Sequence, residues 1–220
     1  MRLKKIKCAV DSPAASGAGT LSKMLAKHYN LLYCDTGKIY RFLAFKLMMK
    51  KTKNKVQYLK KISKKINLQQ LKNKKLLNDD VAFVASQIAK DLKVRKLVLK
   101  FQKKLAYNPP KKYRGSILDG RDIGSVVVPD ADIKFYITAN TKVRARRRFK
   151  ELKKLKKKVV FNEILKSMKK RDREDRRRKH SRLKKTEDSH LINTTNLSIK
   201  SSFLKVKKIM DRELNKIWKK

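Results

Sequence analysis

The stretch Ala9-Val10-Asp11-Ser12-Pro13-Ala14-Ala15-Ser16-Gly17-Ala18-Gly19-Thr20 decides how the rest of the chain is read. An apolar run of Ile6, Cys8, Ala9 and Val10 leads into it, and a helix-favouring run from Leu21 to Lys27 follows. Strand, small-residue turn and helix in that order make an anion cradle. Small side chains let backbone N–H groups approach phosphate, and the helix N-terminus adds partial positive charge. Against the phosphate-loop pattern G-x-x-x-x-G-K-[ST] the stretch departs twice. Ser12 stands where the first glycine belongs, and Ala18 stands where the lysine belongs. The candidates for cradling a nucleotide's phosphates are Ser12, Pro13, Ala14, Ala15, Ser16, Gly17, Ala18, Gly19 and Thr20.

Outward from that loop, Leu21, Met24 and Leu25 mark the inward face of a helix that stops near Asn30. Leu31-Leu32-Tyr33-Cys34 predicts a second strand ending in Asp35-Thr36-Gly37, and Lys38 to Met49 predicts a helix. Residues 50–75 are lysine-rich with scattered Ile and Leu, and no clear period emerges there. A helix begins at Asp80, capped by Asp79 or Asp80. Val84, Ile88, Leu92, Leu97 and Phe101 keep its repeat, with a break near Asp91, until Asn108-Pro109-Pro110 ends it. Gly115 to Asp119 is a short buried strand ending in a carboxylate, Gly120 to Gly124 a turn, and Ile133 to Ile137 another strand. After the basic run from Arg144 to Lys158, Phe161, Ile164, Leu165 and Met168 fall at i, i+3, i+4 and i+7 of a helix. Leu191-Ile192-Asn193 forms a last strand, and Phe203, Val206, Met210, Leu214 and Ile217 a closing amphipathic helix. Strands alternating with helices indicate an α/β fold built on a parallel sheet. Without an internal repeat or a Gly/Ser- or Pro-rich linker, the 220 residues are expected to form one domain.

The 63 Lys and Arg residues against 18 Asp and Glu give a net charge of +45, which will attract polyanions in a strongly salt-dependent way. The excess is mostly lysine, spread from Lys4 to Lys220, and no nucleic-acid-binding pattern accompanies it. The bland reading is a broadly lysine-substituted solvated surface, and no specific nucleic-acid partner is expected. A hydrophobic content of 40% argues against wholesale disorder. No signal peptide or bilayer-spanning run is seen, so a cytoplasmic, membrane-free protein is expected. Cys8 and Cys34 sit in apolar runs without metal-ligand spacing and read as buried thiols in a reducing compartment. The histidines form no local cluster and receive no role.

In a parallel sheet the loops after the strands gather at one edge. That edge would hold the small-residue loop, Asp35-Thr36-Gly37 with Tyr40-Arg41, and Asp119 with Arg121 and Asp122. An apolar run ending in Asp downstream of a phosphate loop suits magnesium, with Thr20 and Asp119 the candidate ligands. Asp119 alone could equally be a helix cap or a surface carboxylate. In Arg171-Asp172-Arg173-Glu174-Asp175-Arg176-Arg177-Arg178, a continuing helix puts Arg171, Asp175 and Arg178 on one face. Guanidiniums suit phosphate, and a carboxylate accepts from ribose hydroxyls. The same spacing also suits a solvated helix laced with i,i+4 ion pairs.

These motifs together resemble the bacterial-type cytidylate kinase family, almost end to end. The family's D-G-P-x-x-S-G-K-G-T loop corresponds to Asp11–Thr20, and its D-[ST]-G-x-x-Y-R motif to Asp35–Arg41. Its A-S-x-[VI]-A and V-R segments correspond to Ala85–Ala89 and Val94-Arg95, its D-G-R-D-[IM]-G-[ST]-V-V-x-P-D-A signature to Asp119–Ala131, and its R-D-x-x-D-x-x-R motif to Arg171–Arg178. Residues 50–80 lack the antiparallel insert of longer members, so the chain resembles the shorter type. The resemblance implies a P-loop kinase fold with a five-stranded parallel sheet. The core would span residues 1–45, 112–142 and 186–220, with a nucleoside-monophosphate-binding region near 46–111 and a mobile lid near 143–185. It implies ATP-dependent phosphorylation of CMP and dCMP with Mg2+, in a monomer. Thr36 would lie in the CMP site. Ser86, Arg95 and Asp122 would contact cytosine, Arg171 and Asp175 the ribose, and Arg41, Arg121 and Arg178 the phosphate or the transferring phosphoryl group.

Ala18 departs from this pattern. The missing lysine normally bridges the β- and γ-phosphates, and alanine supplies neither charge nor donor. Lys23, Lys38, Arg144, Arg146 and Arg148 are the candidate replacements. The competing expectations are another P-loop small-molecule kinase, a nucleotide-binding pseudokinase, or a basic nucleic-acid-binding protein.

Overall fold

The computed structural model describes residues 4–50 and 52–218. Lys51, Lys219 and Lys220, part of the basic surface expected from the sequence, lie outside the described residues. Five strands form one sheet: β1 (Ile6–Asp11), β2 (Leu32–Asp35), β3 (Gly115–Gly120), β4 (Ile133–Thr138) and β5 (His190–Asn193). Their order is β2-β3-β1-β4-β5, and every pairing is parallel. The chain is an α/β protein on a parallel sheet, as its strand and helix alternation predicts, with the P-loop kinase architecture that the resemblance implies.

The strands are apolar on both faces because helices cover both. The described residues hold eight α-helices: α1 (Ala18–His28), α2 (Gly37–Met49), α3 (Lys55–Ser63), α4 (Asp79–Ile88), α5 (Leu92–Tyr107), α6 (Thr141–Lys154), α7 (Phe161–Arg177) and α8 (Ile199–Trp218). Cys8, Val10, Ile117, Phe135 and Ile137 pack with Leu21, Leu25, Val206 and Met210 of α1 and α8. Ala9, Leu32, Cys34 and Leu118 point to the other face and meet Ile39, Leu43, Val94 and Val98 of α2 and α5. Both cysteines are free and buried, as expected, and burial pushes their thiols well above the ordinary range.

The weakly patterned stretch 50–75 holds α3, capped by Asn54, whose side chain accepts from Gln57 N at 3.1 Å. Two short 3-10 turns follow, Gln70–Lys72 and Lys74–Leu77. Leu59, Ile66, Leu71 and Leu76 are buried and anchor this lysine-rich segment to the core. The cap of α4 is Asn78, which accepts from Asp80 N at 2.7 Å, and not Asp79 or Asp80. The two aspartates occupy the first turn, where negative charge complements the helix dipole. The break near Asp91 is real, and Asp91 caps α5 by accepting from Lys93 N at 2.7 Å.

The register of β1 against β3 sets Ile6 opposite Gly115 and Asp11 opposite Gly120, so both strands deliver their loops at the same edge. A Cβ on Gly115 would stand 2.1 Å from the Ile6 carbonyl oxygen and 2.6 Å from its nitrogen. Backbone atoms cannot step aside without breaking the ladder. Gly115→Ala should therefore destabilise the protein by about 3 kcal/mol or more, read as the urea unfolding midpoint against wild type.

Candidate active site

The loop after β1 is shaped by two left-handed residues, Ala15 at φ 57° and Gly17 at φ 91°. Gly17 takes this conformation freely, whereas Ala15 pays a steric cost for it. Ser16 Oγ accepts from Ala18 N at 3.3 Å where α1 begins. The loop's carbonyls are gripped from outside. Arg144 Nη1 donates to Ala14 O at 3.0 Å, and Arg147 Nη1 and Thr194 Oγ1 donate to Ser16 O at 3.2 and 2.8 Å. The N–H groups of Ala14, Ala15 and Gly17 find no acceptor among the described residues. Orphan donors around a helix start suit a phosphate.

Three strands carry a carboxylate at or next to their last residue. Asp11 accepts from Ile123 N at 2.7 Å and Gly124 N at 2.8 Å, which fixes the Gly120–Gly124 turn over the phosphate loop. That turn runs into a π-type helical turn, Ile123–Val127. Asp35 and Asp119 are register partners, and Tyr33 Oη donates to Asp119 Oδ2 at 3.4 Å. Asp119 Oδ2 would lie 3.2 Å from a Cβ on Gly19, so the carboxylate borders the loop at the residue before Thr20. The Thr20 side chain is exposed, and its hydroxyl finds no partner among the described residues. Thr36 Oγ1 and N bind the Asp119 carbonyl at 2.9 and 3.0 Å, which joins the second loop to the third strand.

A hydroxyl beside a buried carboxylate is a hard-oxygen donor set that fits Mg2+ completed by water and phosphate oxygens. No group of three or more His, Cys, Asp or Glu among the described residues could hold a metal alone. Burial and then repulsion from Asp35 raise the Asp119 pKa, with Arg121 opposing the shift. Burial also pushes Asp11 up to about 7 against its two N–H donors. Such carboxyls bind more protons folded than unfolded, so they cost stability as pH rises from the ordinary carboxylate range toward about 7. Asp119→Asn removes one of these charges and should raise Tm at pH about 7.5 by roughly 2–4 °C, about 1 kcal/mol. The gain should shrink as pH falls and vanish only below about pH 4, where the carboxyl is protonated in the folded and unfolded chain alike; differential scanning calorimetry across this range measures it.

The basic residues gather over these strand ends. Arg121 Nε donates to Asp175 Oδ2 at 3.0 Å, and Arg178 Nη1 lies 3.6 Å from Asp175 Oδ1. Burial alone would lower the Arg121 pKa, but Asp175, Asp119 and Asp35 outweigh it and raise it. Arg178 lies one residue beyond the end of α7 in extended backbone, so the expected single helical face stops short of it. It reaches Asp175 because the chain turns back there, with Leu183 N donating to Asp175 O at 2.8 Å. Arg41 Nη1 donates to Leu76 O at 3.1 Å. Solvent reaches Arg171, yet the protein walls it closely enough that desolvation lowers its pKa to about 10, helped by Arg121, Arg41 and Arg148. Four guanidiniums thus repel one another across one cleft.

A second pocket adjoins it. Arg95 Nη2 meets Asp122 Oδ2 at 2.5 Å, with both residues buried, and its guanidinium lies 5.5 Å from the centre of the Tyr40 ring. Arg95 Nε, Tyr40 Oη and Arg178 Nη2 are buried and find no hydrogen-bond partner among the described residues. Arg95 and Asp122 lie close enough to Tyr40 and Arg178 to act on the ionisation of both. Ser86 is not drawn into this group. Its hydroxyl donates to Phe83 O at 2.7 Å within its own helix.

Ala18 is buried. Of its candidate replacements, Arg144 is spent: the residue is 1% exposed and its guanidinium forks onto Asp172. Arg146 is exposed, and Lys23 lies 5.9 Å over the Tyr33 ring. Lys38 stands in the first turn of α2, close enough to act on Cys34. Arg148 pairs with Asp79 at 3.1 Å and Glu151 at 3.0 Å, at the rim of the arginine cleft. The sequence reading passed over Arg147 and Thr194, and it quoted Tyr40 and Asp172 within their motifs without giving either a role. Arginines within a basic run carry no local mark of which one is buried.

A family model described as cytidylate kinase matches residues 8–212. The chain is 40% identical over 206 residues to a cytidylate kinase of Bartonella tribocorum, covering 91% of this chain and 92% of that protein. It is 43% identical over 197 residues to one of Bartonella bacilliformis, covering 89% of each, and 37% identical over 209 residues to one of Mesorhizobium japonicum, covering 94% and 95%. The fold is shared with the crystal structure of an uncharacterized protein from Eubacterium ventriosum, at a TM-score of 0.56 and 16% identity, covering 94% of this chain and 99% of that one. With a phosphate loop, strand-end carboxylates and an arginine cleft assembled at one edge of its sheet, the chain belongs to the cytidylate kinase family and is a kinase.

Proposed function

We propose that the protein transfers the γ-phosphoryl group of ATP to CMP and dCMP by in-line displacement, giving CDP and dCDP. The observation that carries this reading is the set of buried, unpartnered donors on Arg95, Tyr40 and Arg178 beside Asp122. A folded protein seldom leaves such groups unpaired without a ligand to satisfy them. Cytosine offers an amino donor with O2 and N3 acceptors, which an aspartate–arginine pair can read, with Ser86 a third contact after a rotamer change. Arg171 and Asp175 hold the ribose, and Thr36 lines the site. Arg41, Arg121 and Arg178 hold the acceptor phosphate and the moving phosphoryl group.

ATP lies with its phosphates on Ser12–Thr20. Thr20 and Asp119 would hold Mg2+, which would supply positive charge between the phosphates. Phosphoryl transfer asks the protein for alignment and for positive charge over the equatorial oxygens. Without a lysine at position 18, that charge comes from the arginine cleft. Arg148 joins Arg41, Arg121 and Arg171, and their mutual repulsion is relieved when phosphates enter. Residues 143–185 act as a lid that excludes water, residues 46–111 receive the monophosphate, and the remainder is the core. The protein acts as a cytoplasmic monomer; among the described residues no helix is long and apolar enough to cross a membrane. The +45 surface adsorbs polyanions without sequence preference.

A coupled assay with ATP and a panel of CMP, dCMP, UMP and AMP tests the reading. CMP and dCMP should turn over at kcat/KM at least about 100-fold above UMP and AMP, because a base lacking the cytosine pattern leaves buried donors unpaired. Equal turnover of AMP would sink the cytosine assignment. Arg95→Met should raise the KM for CMP by roughly 10–100-fold.

A further inference from the structure

Arg144 is the largest of the fully buried side chains. All five of its N–H groups are engaged. Nε donates to Ala139 O at 2.8 Å, Nη1 to Ala14 O at 3.0 Å and Asp172 Oδ1 at 3.2 Å, and Nη2 to Thr141 Oγ1 at 2.9 Å and Asp172 Oδ2 at 2.5 Å. One rigid planar group therefore binds the phosphate loop, the end of β4 and the helix α7. A fork onto a carboxylate fixes orientation as well as distance. Asp172 follows Arg171 directly and lies three residues before Asp175. Locking its side chain thus sets the rotation of α7 that presents Arg171 and Asp175 to the cleft.

We propose that Arg144 and Asp172 are positioning residues through which a nucleotide on the phosphate loop sets the affinity for the second nucleotide under α7. The acceptor half of this inference rests on the CMP reading above. Donor phosphates draw the N–H groups of Ala14 and Ala15 inward. The Ala14 carbonyl belongs to the peptide unit that carries the Ala15 N–H, so it pulls on Arg144 as that unit rotates. The Arg144–Asp172 fork carries the adjustment to α7. Because the two sites share one element, each ligand strengthens the other equally.

Hydrogen exchange and calorimetry on the full chain with a non-hydrolysable ATP analogue test this. In wild type the analogue alone should slow exchange in residues 165–178 several-fold and tighten CMP binding about 5–50-fold. Asp172→Asn, which keeps size and one acceptor, should still bind the analogue but lose the added protection and bring the CMP enhancement close to one. Arg144→Lys, which keeps charge without the fork, should do the same. If either variant folds and keeps both effects, or if the wild-type helix gains no protection, the inference fails. Should both variants fail to fold, the wild-type exchange result decides alone. If wild type shows the protection but binds no CMP, the loop-to-helix link stands and the acceptor assignment falls.

Discussion

Asp11 ends the central strand with its carboxylate buried against Ile123 N and Gly124 N, 112 and 113 residues further along the chain. Ser12 N adds a bond to Gly120 O at 3.1 Å. These contacts make one object of two loops that the sequence presents far apart. The phosphate loop cannot take its shape unless the Gly120–Gly124 turn is docked, and the turn cannot dock unless β1 and β3 hold their register. Gly115 against Ile6 keeps that register at the far end of the strands. A buried carboxylate bound by two backbone donors tolerates no change of shape, because an unmet buried acceptor or donor costs about 1–3 kcal/mol.

Above this frame the site is a contest of like charges. Asp11, Asp35 and Asp119 stand at the ends of three strands, and Arg41, Arg121, Arg148 and Arg171 converge over them. Two like charges 4 Å apart repel by about 4 kcal/mol at an effective dielectric constant near 20, so either set alone would push the cleft apart. Arg121 stands between them, paired with Asp175 and close to Asp119. In the proposed reaction nucleotide phosphates would answer the arginines, and a divalent cation the carboxylates. Under the proposed function, a kinase lacking the usual lysine works in such a cleft on positive charge distributed over side chains from α2, α6, α7 and the loop after β3.

Much of this was legible in the sequence. Short apolar runs ending in Asp35 and Asp119 revealed strand ends, and their alternation with helical repeats revealed a parallel sheet. The motifs at Asp35–Arg41, Asp119–Ala131 and Arg171–Arg178 supplied most candidate residues, and the structure gathers most of them at one edge. Other features were hidden for physical reasons. Asn78 caps α4 in place of the neighbouring aspartates, because a cap is defined by backbone geometry and all three side chains could serve. Arg178 lies outside α7, since charge periodicity does not reveal where a helix ends. Arg144 looked like one more cation in a basic run, and only the convergence of Ala14, Ala139 and Asp172 from separate segments shows it to be a buried tie. Ser86 turns its hydroxyl to Phe83 O of its own helix, a local bond that its motif does not reveal.

Catalysis without a phosphate-loop lysine is tested most directly by CDP formation from saturating ATP and CMP, measured for the wild-type chain beside Ala18→Lys. If the arginine cleft supplies the cation, the wild type turns over and the added lysine raises kcat by less than about tenfold, because the charge it brings is already present. A wild-type chain that binds both nucleotides without forming CDP, and gains about 1,000-fold or more on Ala18→Lys, would contradict that reading.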